Sequence, residues 1–337
     1  MGTSDLMISS KEIMPNKISD SMQTSPRIAV LIPCLNEEQR IQKVIHDFQY
    51  QIPAARIFVY DNASTDRTAE KAAAAGADVV LESRRGKGYV VQAMFQGIDA
   101  DIYIMVDGDD TYPADRLHAL LEPLQADRAD MVIGSRIMPQ SKSQFKLLNW
   151  LGNKFFLNVI NGIFGTRLTD ILSGYRIMNR RLVKNLPLFA RGFEIEAELT
   201  IKSLERGYRL VEVPVDLRSR PHGSFSKIRV VRDGIRILGT ILALFRDYKP
   251  LTFFGALGAL VILLGSLPGL RAILGFLDTG LVEYFPSAIL AVGLILSGML
   301  SIVIGLILHT INRRFQELEY FMRLMMDKPV DSGEKEG

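Results

Sequence analysis

Two stretches near the C-terminal end limit what this chain can fold into. Leu251 to Leu270 carries no charged side chain, and neither does Tyr284 to Asn312 if His309 is neutral. Each run can cross a hydrocarbon core of roughly 30 Å as a helix, which takes about 20 residues. A pair of buried core helices is the other way to hide such runs, but soluble core helices rarely go so far without a charge. Arg271 to Glu283, between them, holds one Arg, one Asp and one Glu. Arg229, Arg232, Arg236, Arg246 and Lys249 precede the first run, and Arg313, Arg314 and Arg323 follow the second. The excess of basic residues on these flanks predicts an integral membrane protein with two transmembrane helices, both chain ends in the cytoplasm and a short hairpin outside.

The rest of the chain reads as a soluble domain with short appendages. Met1 to Pro26 is polar and lacks the apolar core of a signal peptide, which makes residues 1–26 a disordered leader. Residues 27–227 form the main domain, 228–249 a juxtamembrane segment, 250–312 the transmembrane hairpin and 313–337 a cytoplasmic tail. In the juxtamembrane segment Ile228, Val231, Ile235, Leu238, Leu242 and Phe245 step by three and four, one face of a helix. With Arg229, Arg232 and Arg236 beside that stripe, the helix either lies in the membrane interface or packs on the domain with solvated arginines. Lys+Arg is 40 and Asp+Glu 37, a difference of 40 − 37 = +3, so nucleic acid is not an expected partner. One cysteine excludes an internal disulfide and a cysteine-cluster metal site.

Within 27–227, strand and helix signals alternate. Ile28–Ile32 is a continuous apolar run, as a parallel strand covered on both faces should be. Glu37–Phe48 reads as a helix, Ile57–Tyr60 as a strand, Thr68–Ala75 as an alanine-rich helix, and Val79–Leu81, Ile102–Val106 and Met131–Ile133 as further strands. This rhythm predicts an α/β fold with a mostly parallel sheet and helices on both faces. Ligands of such sheets bind beyond the carboxyl ends of the strands.

Those ends carry chemistry. The first strand leads into Pro33-Cys34-Leu35-Asn36-Glu37-Glu38, the second into Asp61-Asn62-Ala63-Ser64-Thr65-Asp66, and a later one into Asp107-Gly108-Asp109-Asp110. No G-x-G-x-x-G follows the first strand and no G-x-x-x-x-G-K-[ST] occurs, which argues against a dinucleotide oxidoreductase and a P-loop. Two carboxylates one glycine apart can converge on a hard cation that keeps positions open for phosphates, Mg²⁺ or Mn²⁺. Asp and Gly are equally ordinary turn formers. Gly86-Lys87-Gly88, taken alone, is as well read as a flexible loop with a solvated lysine, and Asp66 as the cap of the helix that follows it.

Together these motifs resemble the GT-A glycosyltransferases of family 2 over about Arg27 to Lys227. Within that family the resemblance is to the polyprenyl-phosphate glycosyltransferases, a group that includes dolichol-phosphate mannose synthase and undecaprenyl-phosphate glucosyltransferases. Asp170-Ile171-Leu172-Ser173-Gly174-Tyr175-Arg176 is similar to that group's acceptor loop, and Gly192-Phe193-Glu194-Ile195-Glu196 and Arg220-Pro221-His222-Gly223-Ser224-Phe225-Ser226-Lys227 also match. The two apolar runs fit members with a two-helix anchor. A Q-x-x-R-W motif of processive polysaccharide synthases is missing around the single tryptophan, Trp150.

The resemblance implies a GT-A nucleotide-sugar-binding, Rossmann-like domain and the inverting transfer of a hexose from a nucleotide-sugar to a polyprenyl phosphate. UDP-glucose or a related UDP-hexose with undecaprenyl phosphate is favoured, with GDP-mannose and dolichyl phosphate the alternatives. Asp61 and Asn62 would read the base, Pro33, Asn36 and Glu38 would line base and ribose, and Lys87 would join the nucleotide-sugar site. Asp107 would touch nucleotide and metal, and Asp109 would hold the metal on the diphosphate. A phosphate acceptor is already ionised, with about −1.5 to −2 charges near neutral pH, so cations matter more than a base. Candidates to grip it are Arg136, Arg176, Arg220 and Lys227, with Ser173 as a hydroxyl donor; an arginine fork holds phosphate oxygens in pairs. Glu194 and Glu196 either pair with these arginines or start a helix. A further row, Gly293, Ser297, Ser301 and Gly305, recurs every four residues in the second apolar run. Small residues let spans approach closely, which predicts a contact with the first run or with a second copy in a homo-oligomer.

Overall fold

The computed structural model describes residues 25–136, 157–158, 160–162, 164–218, 239–240, 242–281 and 284–326. Seven strands form one sheet: β1 Ile28–Cys34, β2 Arg56–Asp61, β3 Asp78–Leu81, β4 Ile102–Met105, β5 Met131–Arg136, β6 Arg176–Asn179 and β7 Leu210–Val215. Their order is β3-β2-β1-β4-β6-β5-β7. All pairings are parallel except those of β6, which runs antiparallel to β4 and β5. The expected mostly parallel sheet is therefore what the chain forms.

Helices α1 Ile41–Gln51, α2 Thr68–Ala74, α3 Lys87–Gly97, α4 Leu117–Gln125, α5 Arg180–Asn185 and α6 Ile195–Glu205 cover the sheet. The reason β1 reads as an unbroken apolar run is visible in its two faces. Val30, Ile32 and Cys34 pack with Ile41, Val44, Ile45 and Phe48 of α1 and Leu117, Leu120 and Leu121 of α4. Ala29 and Leu31 pack on the opposite face with Val90, Val91, Met94 and Phe95 of α3. Burying each such large apolar side chain stabilises by about 1.5–3 kcal/mol. A third, smaller cluster joins Ile160, Leu168 and Ile171 to Ala197 and Ile201 of α6 and to Leu244, with Leu172 and Tyr248 at its edge. It ties the domain to the helical residues 242–248 just ahead of the apolar helices.

Those helices are α7 Pro250–Thr279 and α8 Phe285–Met326. Pro250 opens α7 at a position that needs no N–H, and Gly280 closes it at φ +71°. Both helices are long and apolar enough to cross a membrane, with only 11% and 17% of their most apolar windows buried. That exposure is unlike a soluble core pair. The helices pack antiparallel through small residues: a Cβ on Gly258 would lie 2.5 Å from the Gly298 carbonyl, and one on Gly298 2.7 Å from the Gly258 carbonyl. Ser301 Oγ donates to the Phe254 carbonyl at 3.0 Å, and Gly305 sits against Pro250 and Phe254.

The four-residue row divides at this contact. Ser301 and Gly305 face α7, whereas Gly293 meets nothing and Ser297 Oγ turns back to its own Gly293 carbonyl. Steps of four advance about 400° and drift some 40° each time. Among the described residues, the buried positions of α8 are Ala291, Gly298 and Gly305, seven apart, and those of α7 include Gly258 and Gly265, also seven apart. A step of seven drifts only about 20°, so it keeps one seam. Of the expected amphipathic helix over 228–249, residues 228–238 and 241 lie outside the described residues, as do residues 1–24 of the expected leader over 1–26.

Candidate active site

The carboxyl ends of β1 and β2 are stitched together by short polar side chains. Asn36, at φ +54°, accepts the Thr65 amide on Oδ1 at 2.8 Å, and its own amide donates to Ser64 Oγ at 2.9 Å. Glu38 Oε2 accepts the Arg67 amide at 3.1 Å, and the Glu38 amide donates to Asp66 Oδ2 at 3.2 Å. Asp66 also accepts the Thr68 amide at the start of α2, the capping role open to it in the sequence. Pro33 lies partly exposed in β1, paired in register with Tyr60.

Asp61 ends β2 almost fully buried. Its Oδ2 accepts the Ser64 amide at 3.0 Å, but Oδ1 is buried with no hydrogen-bond partner. A buried carboxylate oxygen without a donor is costly, so this acceptor is aimed at something else. Asn62 is different. Its amide donates to the Glu82 and Arg84 carbonyls at 3.1 and 2.7 Å, and its Oδ1 accepts the Gly86 amide at 2.7 Å. Both donors are engaged, so Asn62 shapes the Glu82–Gly86 loop.

That loop delivers Lys87, and here the flexible-loop reading fails. Lys87 is the first residue of α3, and the flanking glycines are docked on the backbone of Ala190 and Arg191. A Cβ on Gly88 would lie 2.0 Å from the Ala190 carbonyl oxygen. Gly86 holds φ +141°, where a Cβ would lie 2.1 Å from the Arg191 carbonyl oxygen. Lys87 is sealed rather than solvated. Its Nζ lies 2.6 Å from Asp107 Oδ1 and 2.5 Å from Glu196 Oε1. Burial pulls its amine down, but the two carboxylates outweigh that and hold it above the ordinary lysine range.

Asp107 follows β4 and stands at the junction of two motifs. Gly174 passes so close that a Cβ there would lie 2.7 Å from Asp107 Oδ2. Gly108 is needed for a similar reason, since its Cβ would meet Cys34 Sγ at 2.6 Å. Asp109 Oδ1 accepts the Thr111 amide and hydroxyl. Among the described residues, no three or more His, Cys, Asp or Glu gather around a cation position. The two carboxylates of the Asp107-Gly108-Asp109 turn nonetheless suit a hard cation that takes its other ligands from phosphate and water.

The Asp170–Arg176 loop forms the facing wall. Glu212 of β7 accepts the Thr169 and Asp170 amides at 2.8–2.9 Å. Asp170 in turn takes Arg136 Nε and Nη2 at 2.6 and 2.8 Å. Burial would lower the Arg136 guanidinium, but Asp170 outweighs it and holds it above its ordinary value. The arginine fork expected to hold a phosphate is thus closed on Asp170 through Nε and Nη2. Ser173 Oγ donates to the Gly134 carbonyl at 2.6 Å, and the Tyr112 hydroxyl accepts the Gly174 amide at 2.9 Å.

Arg176 is where the structure departs furthest from the expectation. Its side chain is wholly buried and donates to the carbonyls of Ser173, Ile171 and Glu196 and to Thr200 Oγ1, each at 2.9 Å. Burial pulls its guanidinium down to about 10, with Glu196 and Asp170 opposing. It braces the loop, and like the buried Ser173 its polar atoms are turned to partners within the domain. Glu196 starts α6 rather than pairing with these arginines through its carboxylate. Tyr112, Asp170, Glu196 and Glu212 join the site beyond the expected set; Asp170 and Glu196 stand inside recognised motifs, whereas nothing in the sequence marks Tyr112 or Glu212. Arg220 and Lys227 lie outside the described residues.

With this geometry in hand, the comparisons fall into place. The glycosyl transferase family 2 model matches residues 29–186. Glycosyltransferase AglJ of Haloferax volcanii is 35% identical over 238 residues, 70% of this chain and 78% of the relative. The dolichyl-phosphate hexose transferase of the same organism is 32% identical over 193 residues, 57% of this chain and 83% of the relative. Glucosyl-3-phosphoglycerate synthase from Mycobacterium tuberculosis, solved with Mn²⁺ and uridine-diphosphate-glucose, shares the fold at TM-score 0.56 and 22% identity, over 65% of this chain and 79% of that one. The chain belongs to glycosyl transferase family 2: it is a glycosyltransferase with a GT-A-like fold and two candidate membrane spans.

Proposed function

We propose that this enzyme transfers a hexose from a nucleotide-sugar, a UDP-hexose such as UDP-glucose by preference, to a polyprenyl phosphate such as undecaprenyl phosphate. The observation that carries the reading is the close approach of Gly174 to Asp107: the acceptor-type loop and the acidic turn after β4 meet there. A donor diphosphate at the turn and an acceptor phosphate at the loop would then be neighbours. The bond from the anomeric carbon to the diphosphate breaks, an acceptor phosphate oxygen takes its place with inversion, and the nucleoside diphosphate leaves.

Asp107 and Asp109 would hold Mg²⁺ or Mn²⁺, which neutralises charge on the departing diphosphate. The unpartnered Asp61 Oδ1 is an acceptor for a base N–H. Lys87 pins Asp107, and Arg136, Arg220 and Lys227 would supply the positive charge that grips the acceptor phosphate. No base is needed, because the acceptor arrives ionised. The candidate spans and their basic flanks support an integral membrane enzyme with the catalytic domain (27–227) and both termini cytoplasmic and 250–312 in the bilayer. The outward Gly293 and Ser297 leave a small-residue surface for a homo-oligomer.

The test incubates the purified protein with labelled UDP-glucose, UDP-galactose or GDP-mannose, undecaprenyl phosphate and Mn²⁺. Label should pass into the organic phase, stop in EDTA or in Asp109→Asn, and return with added Mg²⁺ or Mn²⁺. Label that stays aqueous with every donor, or full turnover in EDTA, would sink the proposal.

A further inference from the structure

The acidic turn after β4 ends in a third carboxylate, Asp110, which neither the donor nor the acceptor wall uses. Its backbone sits at φ +58°, a left-handed conformation that Asp tolerates better than most residues but that needs holding. Asp110 Oδ1 lies 2.8 Å from Lys43 Nζ and 2.8 Å from Arg218 Nη1. The same two cations each lie 2.8 Å from Asp47 Oδ2. Two positive and two negative side chains thus close a square across three elements: α1, the turn after β4 and the chain just past β7. The Arg218 amide also donates to the Thr111 carbonyl at 2.9 Å.

The square reaches Asp109 through the chain. Asp110 is its neighbour, and Thr111, gripped by the Arg218 amide, donates both its amide and its hydroxyl to Asp109 Oδ1. Upstream, Asp107 is fixed by Lys87, and Gly108 is wedged on Cys34. The square is electrically balanced, so it adds little net field at the turn, and it keeps Asp110 and Asp47 bound to cations of the chain itself.

Resting on the metal-dependent reading above, we infer that Lys43 and Arg218 are positioning residues: through Asp110 they lock the Asp107–Thr111 turn so that Asp109 is presented to the divalent cation, and Asp110 is a latch rather than a ligand. Because the ion pairs are partly exposed, the effect is moderate.

The test compares the full-length wild type with Lys43→Met/Arg218→Gln and with Arg218→Lys. Two readouts are taken without turnover: amide hydrogen exchange of the segment around residues 107–111 in metal-free protein, and Mn²⁺ binding by electron paramagnetic resonance in the presence of UDP. The double variant should exchange faster in that segment and bind Mn²⁺ about two- to fivefold more weakly. Arg218→Lys should stay closer to wild type in both readouts, and metal-free UDP binding should be unchanged. Unaltered exchange in the double variant would overturn the latch. Faster exchange with unaltered Mn²⁺ affinity would overturn its link to the cation, and a parallel loss of metal-free UDP binding would mark general damage and overturn the assignment. A wild type that binds no Mn²⁺ with UDP refutes the metal-dependent reading instead, and the exchange comparison still decides whether the two cations hold the turn.

Discussion

Replacing Arg176 with methionine separates a brace from a phosphate ligand. The guanidinium is fully buried and satisfies three carbonyls and one hydroxyl. Methionine keeps much of the volume but removes all four hydrogen bonds, leaving the Ser173 carbonyl without its donor and the Ile171 and Glu196 carbonyls with only the Thr200 hydroxyl. At about 1 kcal/mol for each hydrogen bond lost, the loss is about 3–5 kcal/mol. For a domain of this size about 2–4 °C accompanies each kcal/mol. The apparent melting temperature should therefore fall by about 6–20 °C in detergent, with activity falling alongside. Arg176→Lys should be nearly as damaging, because one ammonium cannot span Ser173, Ile171, Glu196 and Thr200. The assay is thermal unfolding of the purified protein next to lipid-phase sugar transfer. If Arg176→Lys and Arg176→Met melt like wild type while transfer is lost, the side chain meets the acceptor and the bracing argument is refuted.

Other expectations follow from single contacts. Gly88→Ala drives a methyl into the Ala190 carbonyl, so α3 must shift, costing about 1–3 kcal/mol; melting temperature and transfer should both drop, and a wild-type-like variant would show that Lys87 is not held by this docking. Asp130 accepts the Arg209 amide and Nε and the Asn179 amide. Burial would raise its carboxyl, but these donors outweigh that and hold it below the ordinary value. Its stabilisation is therefore full above the unfolded value of about 3.9 and disappears as pH falls through the lower folded value. Melting temperature recorded from pH 6 downward should drop in that acid window, less steeply in Asp130→Asn. Ser301→Leu should loosen the α7–α8 hairpin and lower its melting temperature, while Ser297→Leu, on the outward side, should not; equal effects would contradict the seam described.

The sheet was legible because β1, β2 and β4 are apolar runs whose two faces are both covered, and the acidic ends of those strands located the site. What escaped was helical structure built from polar letters. In α6 Glu196, Glu198 and Lys202 are all buried, and Lys202 pairs with Glu198 at 2.7 Å inside the fold. Such a segment reads as surface until its partners are known. α3 was missed because glycines at its start suggest a loop, whereas here they allow contact with the Ala190–Arg191 backbone. β6 opens with Arg176, a charge that no strand pattern expects to find buried. Partners within the site were hidden for the same reason: Asn62 is engaged by the loop after β3, Ser173 by the Gly134 carbonyl of β5, and Arg176 by its own loop and by α6.

α6 has one further consequence. It begins beside Glu196, which touches Lys87, and it ends at Glu205, which accepts Gln316 of α8 at 2.6 Å. Its 11 residues make a rod of about 16 Å. The helix is a spacer of fixed length between α8, a candidate membrane span, and the Lys87–Asp107 cluster. Changing that length by a single residue would turn one end about 100° against the other as well as moving it about 1.5 Å. The separation of this candidate site from α8 therefore changes only in steps of one residue, each of which turns the helix as well as lengthening it.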